Sequence, residues 1–368
     1  MALVTGSSSG VGLALARALA GTPSPTAESG GDTSPPPLRA FNRVVVAVRD
    51  VVKGLDAAQA VPCSQFSDWD GEGGVHCDVM RLDVGDPESI VAFAERWGDA
   101  PLHLLVHCAG VLPGASAESV AFGDGDKCEA SFVVNHLGPW LLTRYLVPAL
   151  EAGAKTAGVR SRVVSVGSSL ESKLSAGEDP LDWALRVGQG GAGYTPWQAY
   201  AAGKRANLLT MRELDARMRH DAVAIDAAAA TPGFVPGTGL SRHQGTWKHA
   251  ASRWILPWVI PGARSVERGA EAVRWACASA SLDGEARGRF FDGSTERDSS
   301  PGSKDPGTAQ RLWDASARFW GVRADGSVAL DRLRDPPRGF TAGMPVTDVA
   351  YGSAPPEAVA HIHSDTNL

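Results

Sequence analysis

The chain has 368 residues, 43% apolar and 21% charged, the composition of a soluble globular protein long enough for one large α/β domain or two. Its net charge of −6 gives no electrostatic basis for binding nucleic acid or an anionic membrane. Five cysteines (Cys63, Cys77, Cys108, Cys128 and Cys277) form no CxxC pair and no metal spacing and read as free thiols in a reducing compartment, and no run approaches the ~18 apolar residues of a membrane span.

Residues 1–5 read as a short strand, with no targeting segment visible ahead of it. A cytoplasmic location is the expectation, and a plastid one would follow if the start is truncated. Thr5-Gly6-Ser7-Ser8-Ser9-Gly10-Val11-Gly12 comes next, and Leu13, Leu15, Ala16 and Leu19 then give a helical apolar face. A strand, a glycine-rich turn and a helix make a pyrophosphate cradle: Gly6 permits the turn, Gly10 lets backbone approach the ligand, and Gly12 allows close packing of helix on strand.

Residues 21–42 are rich in Pro, Gly, Ser and Thr and are expected to be a disordered insertion. A buried strand, 43–48, ends in Arg49-Asp50. In a dinucleotide fold this end faces the adenosine ribose, where an acid favours NAD and an Arg suits a 2′-phosphate. Val48 and Arg49 therefore point to NADPH, with a plain surface charge as the other reading of Arg49. A second irregular patch, 62–74, precedes a strand over 79–84 that carries Asp83 and Val84. Another strand, 102–106, runs into His107-Cys108-Ala109-Gly110, and a metal or redox site there lacks further ligands.

A long helical pattern from Val133 to about Leu150 contains Asn135, whose amide needs partners if buried. A strand from Arg162 ends in Ser168-Ser169, and the 32 positions from Ser168 to Tyr200 are expected to be a loop shaping a pocket. Tyr200 and Lys204 then lie four apart on one helix face, a phenol beside an ammonium. A positive charge there lowers the phenol's pKa toward neutrality, which suits proton exchange with a carbonyl or alcohol oxygen. Alone, the pair also reads as ordinary helix surface. After one more strand come Thr231-Pro232-Gly233-Phe234 and Thr238. Three tryptophans follow at 247, 254 and 258, either contacting a lipid-like substrate or membrane interface or packing over the core. Residues 335–368 read as a floppy tail, in which His361 and His363 have no metal role.

These segments, in this order, resemble the short-chain dehydrogenase/reductase family over roughly residues 1–322. The resemblance implies one doubly wound Rossmann-type α/β domain with a parallel sheet between helices. It implies catalysis by Ser168 (with Ser169 its neighbouring rival), Tyr200 and Lys204, and an Asn135 that distorts its helix and holds a water connected to Lys204. It implies NADP(H) binding by Thr5, Gly6, Ser8, Ser9, Gly10, Val11, Gly12, Arg49, Asp83, Val84, Ala109, Gly110, Tyr200, Lys204, Pro232, Gly233 and Thr238. Asp83 would meet the adenine ring, though a solvated loop Asp reads equally well. His107-Cys108 stands where the family usually has Asn-Asn, which puts the usual bracing of the sheet in doubt. Local similarities, including Asn207 to Leu214 and Gly288 to Phe291, narrow the branch to retinol dehydrogenases and light-dependent protochlorophyllide reductases. The expected reaction is hydride transfer between NADPH and an apolar carbonyl such as retinal, or its reverse, in a pocket with Phe234, Trp254 and Trp258. The alternatives are tetrapyrrole C=C reduction, disfavoured because Phe234 replaces that branch's Cys, and a non-catalytic NADPH sensor. By analogy with the family, a homodimer is expected.

Overall fold

In the computed structural model, residues 1–21, 38–61, 75–122, 126–175, 177–236 and 262–320 are described. Apolar runs buried on both faces become strands of one central sheet, because a strand flanked by helices on each side has no solvent face to alternate toward. The strands are β1 (Ala2–Thr5), β2 (Arg43–Val48), β3 (His76–Arg81), β4 (Leu104–His107), β5 (Ser119–Phe122), β6 (Asp126–Glu129), β7 (Ser161–Val166), β8 (Ile225–Ala230), β9 (Phe290–Asp292) and β10 (Thr295–Glu296). Eight of them form the sheet, in the order β10-β9-β8-β7-β4-β1-β2-β3, while β5 and β6 make a separate hairpin. Pairing within the large sheet is parallel except between β9 and β10. The strand order reverses between β1 and β4, and the crevice at their carboxyl ends is where such folds bind dinucleotides.

The helices are α1 (Gly10–Leu19), α2 (Val51–Gln59), α3 (Pro87–Trp97), the single turn α4 (Ala130–Phe132), α5 (Gly138–Ala157), α6 (Pro180–Gly188), α7 (Pro196–His220), α8 (Val266–Ala278) and α9 (Pro306–Phe319). One core layer packs Phe93, Trp140, Leu208 and Trp313 of α3, α5, α7 and α9 on one face of the sheet. The other packs Leu15, Leu19 and Val273 of α1 and α8 on the opposite face. Asp-Pro pairs start α3, α6 and α9: the Asp carboxylate accepts from a first-turn N–H, and the Pro presets the helical φ without wasting a donor.

The structure differs from the sequence reading in three places. Residues 38–42 are packed rather than part of a loose insertion: Arg39 N–H donates to Ala278 O at 2.8 Å and Phe41 is buried. β3 begins at His76 instead of Val79, because an edge strand needs only one apolar face. The stretch between Ser168 and Tyr200 is not a plain loop, since it holds a short 3-10 turn over Ser169–Lys173 and the capped helix α6.

Candidate active site

Helix α7 starts behind the cap of Thr195, whose hydroxyl accepts from Gln198 N–H at 3.1 Å, and Pro196 sets its first turn. Tyr200 and Lys204 follow on adjoining turns and both are buried. The Lys204 Nζ stands 5.5 Å from the Tyr200 ring centroid and donates to Val166 O, at the end of β7, at 2.6 Å. Two residues further along the chain from Val166, Ser168 opens the 3-10 turn, its Oγ accepting from Leu170 N–H at 3.2 Å. The Ser168 hydroxyl faces the Tyr200 phenol closely enough to favour its ionised form. Ser169 is exposed, whereas Ser168 is half-buried and stands beside Tyr200.

Burial pushes the Tyr200 phenol above its ordinary range, with the nearby Ser168 hydroxyl opposing the shift. This reverses the expected lowering by Lys204. The physical reason is that desolvation acts on both partners: it also lowers the Lys204 ammonium to about 8, which weakens the charge that would have stabilised a phenolate. Tyr200 is thus held as an acid near neutral pH.

Asn135 lies in a π-helical turn, Val133–Leu137, so the expected helix distortion is present. Its side chain is bonded to backbone: Oδ1 accepts from Val111 N–H at 2.8 Å, and Nδ2 donates to Val111 O at 2.9 Å. This clamp fixes the backbone just beyond Gly110. A Cβ on Gly110 would sit 3.2 Å from Asn135 Oδ1 and 3.7 Å from Lys204 Nζ, so clamp, glycine and lysine meet at one point.

The floor of the crevice requires glycine. Gly6 has φ +67°, and a Cβ there would lie 2.6 Å from Ala109 Cα; a Cβ on Gly12 would lie 2.6 Å from Gly6 O. Ser9 caps α1 through its backbone alone, leaving first-turn N–H groups unclaimed by side chains, and the turn holds no acidic residue. Such a helix start attracts a pyrophosphate. Ser8, Gly10 and Val11 line the same turn and are at least partly accessible. The cradle therefore fits a dinucleotide.

Thr5 is buried, and its Oγ1 accepts from the N–H groups of Cys108 and Ala109, both at 3.1 Å. It joins β1 to the exit of β4. Asp83 Oδ1 accepts from Gly85 N–H at 2.9 Å, and its other oxygen stands 4.0 Å from Arg49 Nε. Val84 is buried. Gly233 has φ +75°, and Arg264 braces its turn by donating to Asp292 and, at 3.5 Å, to Pro232 O. Phe234 is 47% exposed, so the described residues do not enclose it in a pocket. Thr238, Trp254 and Trp258 lie outside the described residues.

His107 supplies the bracing that its departure from the family put in doubt. Thr143 Oγ1 donates to Pro139 O at 2.8 Å, so it accepts from His107 Nε2 at 2.7 Å, and β4 is tied to α5. Burial lowers His107 to about 3 and raises the Cys108 thiol to about 11, so neither offers a reactive charge. Sequence reasoning missed Val111, whose part is played by backbone atoms and leaves no signal in residue type. It also missed the tie beneath Ser168, where buried Arg205 donates to Leu174 O at 2.6 Å and Ser175 O at 2.9 Å. Glu171 in the same turn accepts from Ser300 N–H and Oγ, both at 2.6 Å.

No family model matches the chain. It is 31% identical over 325 residues to the polyprenol dehydrogenase of Mus musculus, covering 88% of this chain and 84% of that protein. It is 28% identical over 329 residues to retinol dehydrogenase 13 of Homo sapiens, covering 88% and 85%. The crystal structure of an uncharacterized protein from Mycobacterium Paratuberculosis matches with a TM-score of 0.58 at 26% identity, over 86% of this chain and 92% of that one. Sheet order, glycine cradle and relatives agree: the chain belongs to the short-chain dehydrogenase/reductase family and is an NAD(P)-dependent oxidoreductase.

Proposed function

We propose that the protein uses NADPH to reduce an apolar aldehyde or ketone, and runs the reverse alcohol oxidation when NADP+ is in excess. The observation that carries this reading is the buried Tyr200 phenol, faced by the Ser168 hydroxyl and flanked by Lys204. Bound NADPH supplies the hydride to the carbonyl carbon. Tyr200 Oη gives its proton to the carbonyl oxygen, and because burial keeps the phenol protonated it is already in the donating form. The Ser168 hydroxyl donates to the same oxygen as negative charge builds there. Lys204, when protonated, stabilises the phenolate left behind, and its bond to Val166 O fixes its position. Asn135 holds the 111 backbone so that the Ala109-Gly110 surface stays open to the cofactor.

The choice of NADPH rests on the end of β2. Val48 is buried where an acid would favour NAD, and the exposed Arg49 side chain is free to reach a 2′-phosphate. The apolar substrate is supported by the relatives, named for polyprenol and retinol, both apolar alcohols. Phe234, in place of a cysteine, supports dark chemistry over photoreduction.

Loss of nicotinamide absorbance in the dark, with NADPH or NADH and a series of apolar aldehydes including retinal, tests this directly. Turnover with NADPH well above that with NADH is expected. Tight NADPH binding with no dark turnover on any aldehyde would overturn the reading and direct the search to light-driven reduction.

A further inference from the structure

The outer edge of the sheet carries a cation that the fold itself does not use. β3 pairs with β2 so that Arg81 stands beside Val48, and Leu82 N–H donates to Val48 O at 2.8 Å, which holds the two strand ends level. Side chains in register on neighbouring strands project from the same face of a sheet. Val48 faces the layer of α1 and α2: a Cβ on Gly54 of α2 would lie 2.5 Å from Val48 Cγ2 and 2.7 Å from Val79 Cγ1. Val79 and Arg81 share that face, since residues alternate along a strand and Met80 between them packs into the opposite layer. Arg81 therefore projects on the side of the sheet where α1 begins at the glycine cradle.

Arg81 is exposed, and among the described residues it has no ion pair. The neighbouring acids are turned elsewhere. Arg43 donates to Asp78. Asp50 Oδ1 accepts from Lys53 N–H at 3.2 Å and its Oδ2 meets Lys53 Nζ at 3.2 Å, which ties that carboxylate to the first turn of α2. Asp83 Oδ1 accepts from Gly85 N–H at 2.9 Å, and Asp86 caps α3 through Glu88 N–H at 3.0 Å. Over residues 48–53 and 79–83, three cations, Arg49, Lys53 and Arg81, stand against two carboxylates, Asp50 and Asp83. The surplus charge is a solvated guanidinium one strand away from Arg49, whose own side chain is 71% in solvent.

A dinucleotide with its pyrophosphate on the cradle after β1 runs its adenosine over the end of β2, and the next strand in that direction is β3. Resting on the reading of the protein as NADPH-dependent, we propose that Arg81 is a second cofactor-specificity residue, closing with Arg49 on the 2′-phosphate. Arg49 comes from the end of β2 and Arg81 from the end of β3, so the two forks engage different oxygens of one phosphate. A cofactor without that phosphate gives Arg81 nothing to bind.

Fluorescence titration of the full chain with NADPH and with NADH tests this without any substrate. The wild-type protein is expected to bind NADPH more tightly. Arg81→Ala should raise the Kd for NADPH about fivefold, the loss of one solvated ion pair, and leave that for NADH unchanged. Arg81→Lys, which keeps the charge without the fork, should recover part of the loss. The melting temperature of the cofactor-free variants should match wild type, because no ion pair of the fold is removed. A wild-type preference for NADPH that Arg81→Ala keeps in full overturns the proposal and leaves the NADPH reading standing, and so does equal weakening of both cofactors. A wild-type protein that binds the two cofactors equally overturns both.

Discussion

The side chains at the β7–α7 side of the crevice are sealed and mutually held: Tyr200 and Lys204 are buried, Lys204 is bonded to strand backbone, and Asn135 is bonded twice to Val111. At the β2–β3 side, Arg49 keeps 71% of its side chain in solvent and touches Asp83 only at 4.0 Å. Chemistry needs the first arrangement, because a proton donor must stand at a fixed distance from the reacting oxygen in surroundings that tune its acidity. Selecting between two cofactors that differ by one phosphate needs only a charge able to swing toward it. On the proposed reading, side chains are sealed where atoms react and solvated where the 2′-phosphate is met.

The largest effect therefore belongs to the sealed side. Tyr200→Phe removes the only proton from a group already placed and leaves the packing of the ring intact. A fall in kcat of about 10³-fold is expected, with NADPH affinity unchanged when measured by fluorescence titration. A variant that keeps more than a tenth of the activity would mean that the proton comes from elsewhere.

The pH profile probes the same side without a mutation. Lys204 is charged below about 8 and neutral above it. In the reducing direction the charged form is the useful one, because it stabilises the phenolate as the proton leaves Tyr200. The kcat/KM for reduction should be flat below pH 8 and should fall about tenfold per unit well above it. Since kcat/KM reports the free enzyme, a break that stays put in Lys204→Met would assign it to another group.

Sequence made the sealed side legible by residue type and misleading by charge. The spacing of Tyr200 and Lys204 was enough to place them together, and the Gly6 and Gly12 positions were enough to place the cradle, because close approach leaves no room for any other residue there. The direction of the Tyr200 shift was not legible, since burial of the phenol depends on groups distant in the chain, among them Cys108 and the Ser168 turn. The bonds of Thr5 were not legible for the same reason: a hydroxyl at a strand end can face either way, and only the neighbouring strand's free N–H groups decide. His107 shows the reverse case. Its departure from the usual asparagine suggested a weakened sheet, yet a ring nitrogen reaches Thr143 across the layer and makes the tie.

The smallest effect expected is on the open side. Arg49→Ala removes a solvated charge with no close partner, so the melting temperature should stay within the range of a neutral surface change. The KM for NADPH should rise about tenfold, the equivalent of roughly 1.4 kcal/mol, while that for NADH stays where it was, because only the 2′-phosphate loses a partner. If both cofactors weaken together, Arg49 shapes the crevice instead of reading the phosphate, and the contrast between a rigid reacting side and a mobile recognising side fails at this residue. If neither changes, the phosphate is recognised by another cation, and the open side reads the cofactor through a residue other than the one at the end of β2.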